Sequence, residues 1–283
     1  MKLNYKRTIL VGFAFFLISA FWQAYDATIP VILTNKYGMS QFWSGVIMAL
    51  DNVLALFMLP LFGTLSDKCK SKRGKRTPFI AIGTVVAAVA LIAVSFVDAA
   101  QLKNIEAVSA IDDPAALEVL YESQGDAQLL TPEGDAFVLS EIFTKEEFTA
   151  ITSKIDGTSE TNPDYTNYVA PARQAYVAQK TAENSTELVL FVVLLLVVLV
   201  AMATFRSPAV ALMPDVTPKV LRSSGNAVIN LMGALGGVFT LAMTMVLVPK
   251  GESPDYSALF ITVAAFMLVA VLVMSFTVKE NRE

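Results

Sequence analysis

The sequence contains no histidine and a single cysteine, Cys69, among its 283 residues. Without histidine the commonest proton shuttle and metal ligand is missing. One cysteine excludes a disulfide framework, a cysteine-based zinc site and an iron–sulfur cluster. Charge is scarce as well. Asp, Glu, Lys and Arg make up 16% of the chain, against roughly 25% in a soluble domain. That is too little to clothe a soluble globule, and a net charge of −4 is not the basic balance of a nucleic-acid binder. Apolar residues supply the rest: 55% of the chain is hydrophobic and the mean hydropathy is +0.58. The few charges are unevenly placed. Residues 99–187 carry a net of −11, while the remaining 194 carry +7.

Crossing a ~30 Å hydrocarbon core takes about 20 apolar residues in a helix. Six runs meet that length, at about 8–33, 42–65, 78–97, 188–213, 223–248 and 257–278. In lipid every backbone polar group has to be satisfied within the segment, so such runs are expected to be helices. The first is no cleaved signal, because it is too long, carries Asp26 and lacks a small-residue cleavage site. The expected fold is therefore an all-α membrane protein of six transmembrane helices, with a small α+β or mainly α extracytoplasmic insert between the third and fourth. Its domains read as 1–98, 99–187 and 188–283.

Lysine and arginine in the short loops set the orientation. Lys2, Lys6 and Arg7 precede the first span. Lys68, Lys70, Lys72, Arg73, Lys75 and Arg76 join the second and third. Lys219 and Arg222 join the fourth and fifth, and Lys279 and Arg282 follow the sixth. Both termini are expected in the cytoplasm and the acidic insert outside, in a multi-pass protein of the plasma membrane. Within the insert, helices are expected over Ala115–Tyr121, Phe148–Ile155 and about 165–181. Thr144 and Glu147 form a capping box for the second, and a hairpin pairs 128–130 with 137–139. Asn184-Ser185-Thr186 is a glycosylation triplet of a kind that recurs by chance.

Polar groups inside the spans mark candidate sites, since a charge in the membrane interior is costly and faces a cavity or a partner. By helical rise, Asp26 and Asp51 lie roughly 12–14 Å below the outer surface, at a common depth where one cavity can serve both. Either binds a coupling proton or cation, or makes a structural hydrogen bond to a neighbouring helix. Arg206 lies roughly 27 Å down, too far to pair directly with either, and either snorkels to the cytoplasmic interface or gates. Ser19, Trp22, Gln23 and Asp26 share a helix face, with Tyr25 beside them. Aromatic rings with hydrogen-bonding groups suit a sugar, and the same residues suit ordinary packing. In span five Asn226, Asn230, Gly233 and Gly237 form one stripe. The glycines make a small-xxx-small contact, and the asparagines are candidates for a substrate path.

The most specific segment runs from Gly63 to Phe79: Gly63-Thr64-Leu65-Ser66-Asp67-Lys68-Cys69-Lys70-Ser71-Lys72-Arg73-Gly74-Lys75-Arg76-Thr77-Pro78-Phe79. Gly63 permits close helix contact. Asp67 sits at a helix C-terminus, the electrostatically wrong end for an acid, and so needs compensation from a cation or a helix N-terminus. Gly74 allows a tight turn and Pro78 suits a first helical turn. The order resembles the major facilitator superfamily signature, and its extended form is closest to the sucrose–proton symporters and their glycoside–pentoside–hexuronide relatives. Arg206-Ser207-Pro208-Ala209, Pro214-Asp215 and Arg222-Ser223 with Asn226-Ala227 are similar to the fourth-to-fifth connection of that group.

The resemblance covers the spans and not the insert. It implies one six-helix half-bundle of a transporter that works by alternating access. It also implies a cytoplasmic gate from Gly63, Asp67, Arg73, Gly74 and Arg76, with Asp215 and Arg222 from the fourth-to-fifth connection. Melibiose-type members carry cation-binding acids lower in span two, where this chain has Ala55 and Leu59. Only Asp51 remains, a turn higher, which puts a proton ahead of sodium as coupling ion, with no other cofactor or metal. Twelve spans make a full transporter of this kind, so a second six-helix half is expected as a C-terminal domain, a separate chain or a second copy. The leading function is a sugar or glycoside transporter in the lipid bilayer, with no nucleic-acid partner. The alternative is a non-transporting binding or assembly protein whose insert is the working part. No catalytic constellation supports an enzyme.

Overall fold

The computed structural model describes residues 5–71, 74–155 and 157–277. Lys2, Lys72, Arg73, Lys279 and Arg282 lie outside the described residues. Three long helices come first: α1 (Tyr5–Val31), continued by a π turn over Ile32–Lys36, then α2 (Gln41–Asp67) and α3 (Thr77–Asn104). The insert follows with α4 (Pro114–Gln124), a hairpin of β1 (Gln128–Leu130) and β2 (Ala136–Val138), and the helices α5 (Leu139–Ile142), α6 (Lys145–Thr149) and α7 (Ala170–Glu183). Three more long helices close the described chain: α8 (Thr186–Val216), α9 (Arg222–Leu247) and α10 (Ser257–Thr277). All six long helices are long and apolar enough to cross a membrane. The six runs read from the sequence are these helices, lengthened by a few polar residues at most ends.

Proline shapes two of them. Pro30 has no N–H to give the preceding turn, and the chain passes into the π turn just beyond it, where the Thr34 hydroxyl donates to the Pro30 carbonyl at 2.9 Å. Pro208 and Pro214 likewise sit inside the last turns of α8. The bundle is built from two main pairings, α1 against α9 and α3 against α8. Helix α10 fills the angle between α1 and α3, and α2 rests on α8. Phe21, Ile29, Phe191, Phe205 and Phe260 are fully enclosed at the centre. The outer faces of α2 and α9 are the least covered, with Leu56, Phe57, Leu231 and Val238 exposed.

The α1–α9 pairing depends on small residues. A Cβ on Gly236 would stand 2.2 Å from the Phe16 carbonyl oxygen, and one on Gly233 would stand 3.1 Å from Ser19 Oγ. Gly237 has more room, with Gln23 Oε1 at 3.8 Å. The close contact is thus made by Gly233 and Gly236, not by the pair Gly233 and Gly237 expected from four-residue spacing. The crossing of the helices turns position 236 inward. The Thr240 hydroxyl donates across to the Ala20 carbonyl at 2.9 Å.

The insert has a core of its own, in which Leu117, Leu120, Leu139, Phe148, Val169 and Val177 are buried. Its first helix is longer than expected, and its hairpin pairs Gln128 with Val138 and Leu130 with Ala136. The capping box at Thr144 and Glu147 is formed. The helix it opens ends at Thr149 rather than Ile155. From Thr152 onward the chain turns away, because Asp112 accepts from the Ser153 backbone and hydroxyl at 2.5 and 2.7 Å and Lys154 bridges to Thr161. The insert is docked on the bundle through the turn after α1. Gly38, at φ +65°, adopts a left-handed conformation that favours glycine, and a Cβ there would stand 2.4 Å from the Ala178 backbone nitrogen of α7.

Candidate functional site

Three polar constellations stand out, and the helices fix each of them at a different level. The first is at the end of the bundle opposite the insert. Gly74, at φ +115°, turns the chain from α2 into α3 and brings Arg76 under the end of α2. The Arg76 Nη2 lies 2.5 Å from Asp67 Oδ1, and its Nε lies 3.1 Å from Asp215 Oδ2 at the end of α8. Its Nη1 donates to Ser66 Oγ at 2.6 Å and to the Gly63 carbonyl at 3.4 Å, while the Ser66 hydroxyl donates to that same carbonyl at 2.8 Å. The guanidinium fork suits this work, because it presents several donors in a rigid plane. The acid at the unfavourable helix end receives the cation that it needs. Arg76 is buried whereas Asp67 and Asp215 are largely exposed, so the arginine is the enclosed hub.

Helices α2 and α8 approach closely beside it. The Ser207 hydroxyl donates to the Leu59 carbonyl at 2.8 Å, and a Cβ on Gly63 would stand 3.1 Å from Ser207 Oγ. Arg222 does not join Asp215. Its Nη2 donates to the Pro214 carbonyl at 2.9 Å, which ties the start of α9 to the end of α8. Arg73 lies outside the described residues.

The second constellation lies between α1, α2 and α8. Trp22, Asp51, Leu54, Ala55, Leu59 and Arg206 line a small crevice together with Leu199 and Ala203, with room for about one water molecule. The Arg206 guanidinium carbon stands 5.8 Å from the centre of the Trp22 ring, within cation–π reach. Arg206 therefore turns inward onto Trp22 rather than snorkelling, and it borders the same crevice as Asp51 without an ion pair to it among the described residues. Depth counted along α8 places it well below Asp51, and the Ser207–Leu59 bond holds it there, about two turns of α2 away, where it meets Trp22 and not the aspartate. Asp51 accepts from the backbone and side-chain nitrogens of Asn52 at 2.5 and 2.7 Å. Trp22 packs edge-on against Phe21 and Tyr25, at 5.3 and 5.5 Å between ring centres. The Trp22 indole N–H and the Tyr25 hydroxyl are buried and have no partner.

Other residues of the expected site are not gathered here. Asp26 is exposed and stands outside the lining of this small crevice, yet near enough to Asp51 for the two charges to act on each other. Ser19 and Gln23 face the glycines of α9 and leave the face that Trp22 presents to the crevice. Asn226 and Asn230 are exposed. With Gly233 opposite Ser19, Asn230 is about 9 Å and Asn226 about 15 Å below the level of Trp22 along the helix axis, by the rise per residue.

The third constellation joins insert and bundle, and sequence reasoning missed it. The Lys36 Nζ lies 2.7 Å from both carboxylate oxygens of Asp98, with the two side chains 1% and 0% exposed. The ammonium also stands 5.0 Å from the centre of the Tyr256 ring, and burial pushes the Tyr256 hydroxyl up to about 12. Gln101 of α3 donates to the Lys36 carbonyl at 2.6 Å and to Thr181 of α7 at 3.2 Å. Nearby, Arg173 of α7 is paired with Glu252 in the loop before α10, and its Nη1 donates to Tyr165 Oη at 2.8 Å. Tyr165 donates to Glu252 at 2.7 Å. The signal was available. Lys36 and Asp98 each stand at the outer end of an apolar run, where opposite charges can meet, but nothing in the spacing says that the two ends are neighbours.

Comparison with known proteins bears on the first of these constellations. Residues 10–102 match the family model described as MFS/sugar transport protein. Sucrose transport protein SUC4 of Arabidopsis thaliana is 37% identical over 60 residues, which is 21% of this chain and 12% of that protein. Sucrose transport protein SUC3 of the same plant is 37% identical over 59 residues, 21% of this chain and 10% of that protein. The matches thus cover about a tenth of the length of these relatives. No solved structure matches the chain. The matched segment holds the first three spans and the whole Gly63–Phe79 motif. Over that segment the chain is similar to proteins of the major facilitator, sugar-transport kind, and the resemblance read from the motif is borne out.

Proposed function

We propose that the chain forms the N-terminal six-helix half of a secondary transporter for a sugar or glycoside, coupled to protons and working by alternating access. The observation that carries the reading is the Arg76 hub. One buried guanidinium ties Asp67 of α2 and Asp215 of α8, and Arg76 and Asp67 lie inside the segment similar to sugar transport proteins. A latch made of ion pairs between helix ends can close one side of a bundle and open again, because its partners are solvent-facing and regain water when released. Lysine and arginine in the loops support a cytoplasmic placement of this end, with the insert outside and the protein in the plasma membrane.

The crevice is the candidate for substrate and coupling. The crevice as it stands has room for about one water, so in this reading it opens during the transport cycle before a sugar ring lies against Trp22. Asp51, in the same lining, is the proton carrier in this reading. The uncovered apolar faces of α2 and α9 suit a second six-helix half, whether it is a further domain, a separate chain or a second copy. The reading is tested by uptake of a radiolabelled sugar panel into proteoliposomes with the second half supplied. Uptake driven by a proton gradient and abolished by Asp51→Asn supports it. Absence of uptake with every sugar would favour the other reading, a binding or assembly protein that works through its insert.

A further inference from the structure

A polar opening lies outside the bundle core. It lies between the insert and the ends of the first two spans and has a volume of about 600 Å³. One wall is the insert, with Thr131 at the hairpin turn, Thr166 in the π turn over Tyr165–Val169, and Arg173 and Gln174 on α7. The other wall is the bundle, with Gln41 opening α2 and Glu252 in the loop before α10.

The size falls within the range of small-molecule sites, roughly 300–1,000 Å³. The chemistry of the lining narrows the ligand. Its two charged side chains, Arg173 and Glu252, are paired with each other, so the cleft presents no net charge to a ligand. The rest of its polarity is uncharged: three carboxamides, of Asn35, Gln41 and Gln174, and the hydroxyls of Thr34, Thr131 and Thr166. The Gln41 carboxamide makes no hydrogen bond among the described residues, so both its donor and its acceptor are free for a ligand. Arg173 is 3% exposed and its Nε has no acceptor, although its other nitrogens are spent on Glu252, Tyr165 and the Ala110 carbonyl. The Nε is closed off from solvent and so from the cleft, and Arg173 forms a wall of the site. Leu130, 60% exposed on the hairpin, adds an apolar surface of the sort that a sugar ring covers.

We infer that this cleft is a second binding site, for a neutral mono- or disaccharide, held by the insert at the mouth of spans one and two. The insert would thereby capture the substrate ahead of the crevice. The identity of the ligand rests on the transport reading above, and the test keeps the two apart.

The experiment uses the full chain in detergent, with Cys69→Ser and a reporter Pro132→Cys at the exposed rim of the cleft, and follows the rate of maleimide labelling. Sucrose, maltose or glucose is expected to slow labelling at Pro132→Cys saturably. A reporter at Ile142→Cys, on the exposed side of the insert, is expected to be indifferent. Glucuronate, which carries a charge, is expected to protect poorly. Adding Gln41→Leu or Gln174→Leu should raise the sugar concentration needed by about three- to tenfold, the loss of one neutral hydrogen bond, with unchanged melting to show that the fold persists. If no sugar protects Pro132→Cys, or glucuronate protects better than sugars, the cleft is not a sugar site, whatever uptake shows. Protection without uptake would sustain the cleft and overturn the transport reading. Uptake without protection would do the reverse.

Discussion

Lys36 and Asp98 form a two-point ion pair, with the ammonium 2.7 Å from each carboxylate oxygen and both side chains closed off from solvent. It clamps the end of span one to the end of span three, directly beneath the insert. Breaking such a pair from one side leaves a buried charge uncompensated, at a cost of about 3–5 kcal/mol, whereas replacing both partners by apolar groups is often neutral. Lys36→Met and Asp98→Leu should therefore each lower the melting temperature in detergent sharply, and the double variant should recover most of the loss. Equal additive losses in the double variant would show that the two residues act separately.

Arg76 offers a sharper test of the hub. Arg76→Ala removes charge-assisted bonds worth about 1.5–3 kcal/mol each and frees the end of α2, next to Cys69. Labelling of Cys69 by a maleimide should rise by roughly tenfold or more, the effect of about 1.4 kcal/mol of lost local stability. Arg76→Lys should not restore protection, because one ammonium lacks the fork that reaches Asp67, Asp215 and Ser66 together.

The glycines of α9 separate contact from spacing. Gly236→Ala forces a methyl against the Phe16 carbonyl, which lies 2.2 Å from the ideal Cβ position. Overpacking of this kind costs about 1–3 kcal/mol, and the melting temperature should fall. Gly237→Ala meets only Gln23 at 3.8 Å and should be tolerated. The reverse ranking would mean that α1 and α9 cross differently.

The capping box of the insert gives a pH signature. The Thr144 backbone N–H and hydroxyl donate to Glu147 at 2.8 Å each, and they hold its carboxyl below the usual 4.5. A carboxyl with a lowered folded value contributes stability that is present above its unfolded value and is lost as pH falls through the folded one. Amide exchange protection over Lys145–Thr149 should hold at pH 6 and decline below pH 4.5. Thr144→Ala should weaken it at every pH and leave a smaller step, since the backbone donor remains, whereas Glu147→Gln should abolish the step.

Several features follow from the sequence alone. The six membrane helices are fixed by the lengths of their apolar runs, because lipid leaves an unbroken helix as the way to satisfy a spanning backbone. The motif from Gly63 to Phe79 carries the resemblance to sugar transport proteins, and the insert's capping box and hairpin are local patterns of a few adjacent residues. All of these depend on neighbours in the chain. The tertiary structure decided which ends meet. Arg206 comes under Trp22, Lys36 finds Asp98, and Gly236 rather than Gly237 takes the close contact, because helices cross at an angle. The cleft between Gln41 and Arg173 belongs to neither the bundle nor the insert by itself, since it exists only where Gly38 lets one dock on the other. Spacing along a helix ranks which residues share a face, but the angle at which two helices pack determines what that face meets.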